Sequence, residues 1–139
     1  MNNIISAPGK LMLLGEHSVV YGYPCIVTAV DKRVRVSIEK TDGKSKQDGI
    51  VCPHIKDPVF VKEALKVFRE THDIPCVKIK TDADFTHNVG LGSSSAVTVA
   101  VIKALADLFV IKMSQEVLFE MSYKAVWKVQ KSGSGFDVA

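Results

Sequence analysis

Several things are scarce in these 139 residues. Aromatic side chains make up 7% of the chain, with one tryptophan, and the formal charge is only +3. So mild a balance, spread along the chain, gives no footing for a nucleic-acid partner by itself. The cysteines are Cys25, Cys52 and Cys76, odd in number and without metal-type spacing. Cys52-Pro53-His54 is the nearest approach to a zinc-ligand pair, and no second pair follows it. That usage fits a reducing, cytoplasmic compartment. The opening "MNNIISAPGK" has neither a basic n-region nor a long apolar core, so no signal peptide is expected. The most apolar run, Ala96 to Ile111, is shorter than a membrane span and holds Lys103 and Asp107. It reads as a core helix. What is present, 47% apolar and 24% charged residues, suits one globular domain with a real core.

Periodicity places the elements. "NIISAPGKLMLLGE" reads as two short extended pieces around a Pro8-Gly9 turn, and "SVVYGYPCIVTAV" is strand-like with a second turn at Gly22 and Pro24. In "KRVRVSIEK", Val34, Val36 and Ile38 face one way and Arg33, Arg35, Ser37 and Glu39 the other, the mark of a half-buried strand. "VCPHIKDP" fits neither period. From Pro58, a good first-turn residue, Val61, Ala64, Leu65 and Phe68 share a helical face. "PCVKIKTDADF" returns to strand, with Val77 and Ile79 inward and Lys78 and Lys80 outward. A long helix from about Ser94 to Val110 is apolar around most of its circumference. Ser114 then looks like the N-cap of a last helix carrying Val117, Leu118, Met121, Ala125 and Val129. Strands early and helices late predict an α+β fold with helices on one face of a sheet.

Between the last strand and the long helix lies "THNVGLGSSSAV", with Gly90 and Gly92 followed by Ser93, Ser94 and Ser95. A helix entrance exposes unpaired N–H groups and a partial positive charge, so this knot is either a capping turn or an anion site. It is not a Walker A loop, which needs Lys directly after the last Gly, and it lacks the third Gly of the dinucleotide fingerprint. Successive amides there could cradle a di- or triphosphate, and a serine hydroxyl could ligate Mg²⁺.

Two further stretches bear on the choice. "APGKLMLLGEHSVVYG" precedes the knot, and "SGSGFDVA" follows it at the end of the chain. These three blocks, in this order, resemble those of the GHMP kinases (galacto-, homoserine, mevalonate and phosphomevalonate kinases). "GEHSVVYG" is most similar to the mevalonate kinase branch; the closing "GSGFDVA" is also similar to phosphomevalonate kinases. The resemblance implies an N-terminal, ATP-binding domain over residues 1–139, like the second domain of ribosomal protein S5. It further implies ATP and Mg²⁺ as cofactors and a small alcohol, mevalonate above all, as phosphoryl acceptor. The alternatives are phosphomevalonate or a sugar as acceptor, or an inactive nucleotide-binding fragment.

Residue by residue, Asp137 matches the family's catalytic base, which takes the proton from the substrate hydroxyl. Lys10 matches the lysine beside the reacting hydroxyl and γ-phosphate, where a cation would hold the carboxylate ionised. Gly90, Leu91, Gly92, Ser93, Ser94 and Ser95 match the phosphate loop, with Ser94 as the Mg²⁺ ligand. Glu16 and His17 match a pair that shapes the substrate pocket. Each has a plainer alternative: a turn Asp, a solvated Lys, capping serines, a structural His.

The pattern also breaks. The second Mg²⁺-binding glutamate of mevalonate kinases falls on Val126, eleven residues before Asp137. Glu120 lies six residues earlier, about 240° around a helix, and cannot simply replace it. Asn88 stands where the family often has Gly. The family's C-terminal domain is missing, which reads as truncation just after the catalytic Asp block. The expectation is therefore little activity from this chain alone and a tendency to self-associate; homodimerisation stays open. A binding module is the competing class, because S5-like folds also serve RNA-binding proteins and Arg33, Arg35, Lys78 and Lys80 could form a basic face. No aromatic residues interleave them, and neither nucleic acid nor membrane is the expected partner.

Overall fold

The computed structural model describes residues 4–43, 45–53, 58–86, 89–132 and 135–139. Its elements run β1 (Ile4–Leu14), a 3₁₀ turn (Val19–Tyr21), β2 (Ile26–Lys40), β3 (Gly49–Val51), α1 (Val59–Arg69), β4 (Val77–Ala83), α2 (Ser93–Leu108) and α3 (Gln115–Gln130). The sheet order is β1-β2-β4-β3. β1 and β4 flank β2 antiparallel, and short β3 pairs with β4 in parallel. The fold is thus the expected α+β, one sheet with its helices on one face.

Alternation builds that face. Val34, Val36 and Ile38 of β2 and Val77 and Ile79 of β4 are all buried, while Arg35, Lys78 and Lys80 point to the open side. Val61, Ala64, Leu65 and Phe68 of α1 are buried against them as their spacing predicts. Helix α2 is the central rod, with eleven of its sixteen residues buried. Its many alanines let neighbours approach closely. α3 packs on α1 and α2.

Three readings are corrected. β1 is one strand with no turn at Pro8-Gly9: its register with β2 shifts between Pro8 and Lys10, where β2 carries two extra residues opposite Gly9. Such a bulge keeps the ladder going while bending the strand that carries the extra residues. The stretch from Ser18 is not all strand, since a 3₁₀ turn intervenes before β2 begins at Ile26. On α3, Ser122, Ala125 and Val126 are the buried residues, whereas Val117 is 43% exposed. The contact face extends to Ser122 and Val126, where α3 rests on two helices, while Leu118, Met121 and Ala125 pack as their spacing predicts. Ser114 does cap α3, accepting the Val117 N–H.

Polar clamps fix the layers. Arg69, at the end of α1, makes a two-pronged bond to Asp48 (2.6 and 2.9 Å), and Asp48 also accepts the Val77 N–H. The Arg69 bond holds the Asp48 carboxyl below its usual range. α1, β4 and the chain leading into β3 are thereby tied at one point. On the far side Lys124 and Lys128 of α3 both donate to Glu70, after α1. These two bonds lower the Glu70 pKa to about 2.

Candidate active site

The local backbone decides what the entrance of α2 can do. Its N-cap is Gly92, in the left-handed region (φ 67°), a residue with no side chain to cap the helix. Gly90 is left-handed too (φ 70°). Of the three serines, Ser93 and Ser95 are buried and Ser94 is half-buried. The Ser95 hydroxyl is fully enclosed and has no hydrogen-bond partner among the described residues. The Ser94 carbonyl accepts the Thr98 hydroxyl (2.7 Å). Ser94 is therefore the hydroxyl nearest to solvent in the first turn.

Lys10 meets this entrance directly. Its backbone N–H donates to the Leu91 carbonyl (2.9 Å), so β1 is stitched to the glycine turn just past its register shift with β2. The fit is close: a Cβ on Gly9 would stand 3.0 Å from the Leu91 oxygen and 3.2 Å from the Phe85 ring. A Cβ on Gly92 would stand 2.9 Å from Lys10 Cγ and 3.1 Å from Cε, so the lysine stem lies across the helix N-cap. Glycine at 92 is required twice, by its φ and by that stem.

The third block closes the group. The Lys10 ammonium lies 4.5 Å from the centroid of the Phe136 ring, one residue before Asp137. A turn, with the Val138 N–H donating to the Gly135 carbonyl (3.0 Å), folds this segment back onto α3. Gly135 (φ 81°) allows it, since a Cβ there would be 3.1 Å from the Tyr123 ring. Val138 is buried beneath, and Asp137 is half-buried. Among the described ion pairs none joins Lys10 to Asp137.

The remaining candidates lie elsewhere. Glu16 and His17 are exposed, beyond the end of β1, where Gly15 (φ 93°) turns tightly against Cys25. Leu14 alone is roughly 13 Å along the strand from Lys10. The described contacts do not bring the pair to the loop. Val126 is buried and apolar, and Glu120 is exposed. Among the described residues, no three His, Cys, Asp or Glu side chains cluster as a metal cage. His54 and Asn88, along with Gly133 and Ser134 of the last block, lie outside the described residues. Part of the basic face is paired: Arg35 with Asp84 and Lys78 with Glu39 at 3.8 Å, while Arg33 bonds the Ser6 hydroxyl. No helix among the described residues is long and apolar enough to cross a membrane.

Sequence reasoning had no signal for Phe136 or Phe85, because nothing in a lone aromatic announces a lysine or a glycine packed on it.

Residues 59–139 match the model of the GHMP kinases N terminal domain, and the chain belongs to that family. Residues 2–40 match the galactokinase galactose-binding signature. The chain is 39% identical to the mevalonate kinase of Archaeoglobus fulgidus over 96% of its own length and 48% of the relative's. It superposes on the Methanococcus jannaschii mevalonate kinase with a TM-score of 0.86 at 23% identity, covering 99% of this chain and 50% of that one. The Streptococcus pneumoniae phosphomevalonate kinase gives 0.83 at 22%, covering 99% and 44%. At those identities the two structures speak for the fold alone. The chain spans about half the length of the curated relatives it matches.

Proposed function

We propose that residues 1–139 form the ATP-binding half of a kinase that transfers the γ-phosphate of ATP to the hydroxyl of mevalonate. The observation that carries this reading is the convergence on Lys10, whose stem crosses Gly92 and whose ammonium rests beside the residue preceding Asp137. Phosphoryl transfer asks little covalent chemistry of a protein. It asks for alignment, charge neutralisation and a proton acceptor. The amides of the first turn of α2 and the glycine turn 90–92 supply an anion seat, strengthened by the helix dipole. Ser93 and Ser95, both buried, serve through their backbone, and the Ser95 hydroxyl is fully enclosed.

Lys10 neutralises charge on the transferring group, and Asp137 takes the proton from the attacking hydroxyl. The Ser94 hydroxyl would hold Mg²⁺ together with the phosphate oxygens of ATP, since among the described residues no acidic cage is found. When bound, the ion spreads the charge of the phosphates. Glu16 and His17 belong to the acceptor side of the pocket and select the substrate.

The preference for mevalonate over phosphomevalonate or a sugar rests on the named relative at 39% identity. The test is ADP release with each of the three acceptors, using a protein of the relatives' length that carries this chain. Mevalonate is expected to be turned over fastest, and Asp137→Ala to abolish turnover while sparing ATP binding. Turnover surviving in Asp137→Ala would refute the assigned base.

A further inference from the structure

We infer that Phe136 is a positioning residue for Lys10, holding the ammonium at the phosphate seat without neutralising it; the inference rests on the kinase reading above. A lysine has four rotatable side-chain bonds, and ordering it is costly in entropy unless neighbours restrict it. Here two separate blocks share the task. The glycine turn holds the near end, through the Lys10 N–H bonded to Leu91 and the stem laid over Gly92. The Phe136 ring holds the far end, 4.5 Å from the ammonium and inside the range where the ring quadrupole attracts a cation.

The chemistry of the holder matters. A carboxylate would quench the charge, whereas a ring face attracts it and leaves the full positive charge for an incoming phosphate. Among the described residues no ion pair engages Lys10. Because the ring precedes Asp137 directly, placing the lysine and placing the acid become one event. A leucine at 136 would keep the bulk and lose the quadrupole; a tyrosine would keep both.

The experiment combines NMR with calorimetry on the 139-residue chain. Protons held over an aromatic face are shielded, so the Lys10 Hε resonances should lie upfield of ordinary lysine positions. They should return to those positions in Phe136→Leu and stay upfield in Phe136→Tyr. Mg·ATP affinity is then measured for the unsubstituted chain, Phe136→Leu, Phe136→Tyr, Lys10→Ala and the Lys10→Ala/Phe136→Leu double variant. Phe136→Leu should weaken binding by about 2- to 5-fold, Phe136→Tyr should restore it, and in the Lys10→Ala background Phe136→Leu should add nothing. A merely structural role would lower affinity equally in both backgrounds.

Unshifted Lys10 resonances in the unsubstituted chain, or additive losses, would overturn this inference while leaving the kinase reading in place. If no variant takes up Mg·ATP, the unsubstituted chain included, the kinase reading falls and this inference falls with it.

Discussion

Strand β1 runs beside β2 for its whole length, yet the two halves of this ladder have different surroundings. Where Ile4–Pro8 pairs with Arg33–Ser37, the ladder lies over the helices and β2 buries Val34 and Val36 (3% and 0% exposed). Past the bulge, where Lys10–Leu14 pairs with Ile26–Ala29, the ribbon leaves the helical layer. Leu13, Leu14 and Ile26 are then more than half exposed. The sequences differ in the same way. "RVRVSIEK" alternates, as a strand with one wet face does, whereas "LMLL" and "IV" put apolar residues on both faces. Lys10 sits at the border between the halves. The candidate active site therefore occupies the edge of the finished core, where the chain's own packing stops.

The largest contrast should appear in stability. Phe68→Ala, in the covered layer, is expected to cost about 3–5 kcal/mol in urea unfolding. Leu14→Ala, on the bare ribbon, should cost less than about 0.5 kcal/mol. Equal losses would mean that the ribbon is covered in solution. At the border, Gly92→Ala forces a left-handed backbone on alanine and drives its Cβ into the Lys10 stem. We expect about 1–2 kcal/mol of destabilisation together with loss of Mg·ATP binding, read by calorimetry. On the ribbon, Leu13→Lys should leave the thermal midpoint unchanged and shift sedimentation toward monomer, since an exposed apolar patch drives association.

The smallest effect belongs to the exposed Glu70 bridge between α1 and α3. Its carboxylate titrates near 2 in the folded chain, below its ordinary value of 4.5, so its contribution is present above that ordinary value. It is lost as the pH falls toward 2. Glu70→Gln should lower the thermal midpoint slightly at neutral pH, with the gap to the unsubstituted chain closing in acid.

Periodicity carried much of this fold in advance. The alternation in β2 and β4 and the α1 stripe at 61, 64, 65 and 68 fall where the residues put them, because one burial face dominates each element. The unity of β1 was not legible, since Pro-Gly suits a turn and a bulged ladder alike. Nor was the reach of the α3 contact face to Ser122 and Val126, where the helix rests on two others. At the site, the three blocks named Lys10, the glycine turn and Asp137. What sequence could not supply was their joining: the Leu91 carbonyl on the Lys10 amide and the Phe136 ring under the ammonium are long-range contacts with no local pattern.

The most direct test of the account is a Mg·ATP titration of the ¹⁵N-labelled chain followed by amide NMR. Shifts gathered on residues 90–95, on Lys10 and on 135–138 are the predicted result. An unchanged spectrum, or changes confined to the open sheet face around Lys78 and Lys80, would contradict the claim that the entrance of α2 seats a nucleotide.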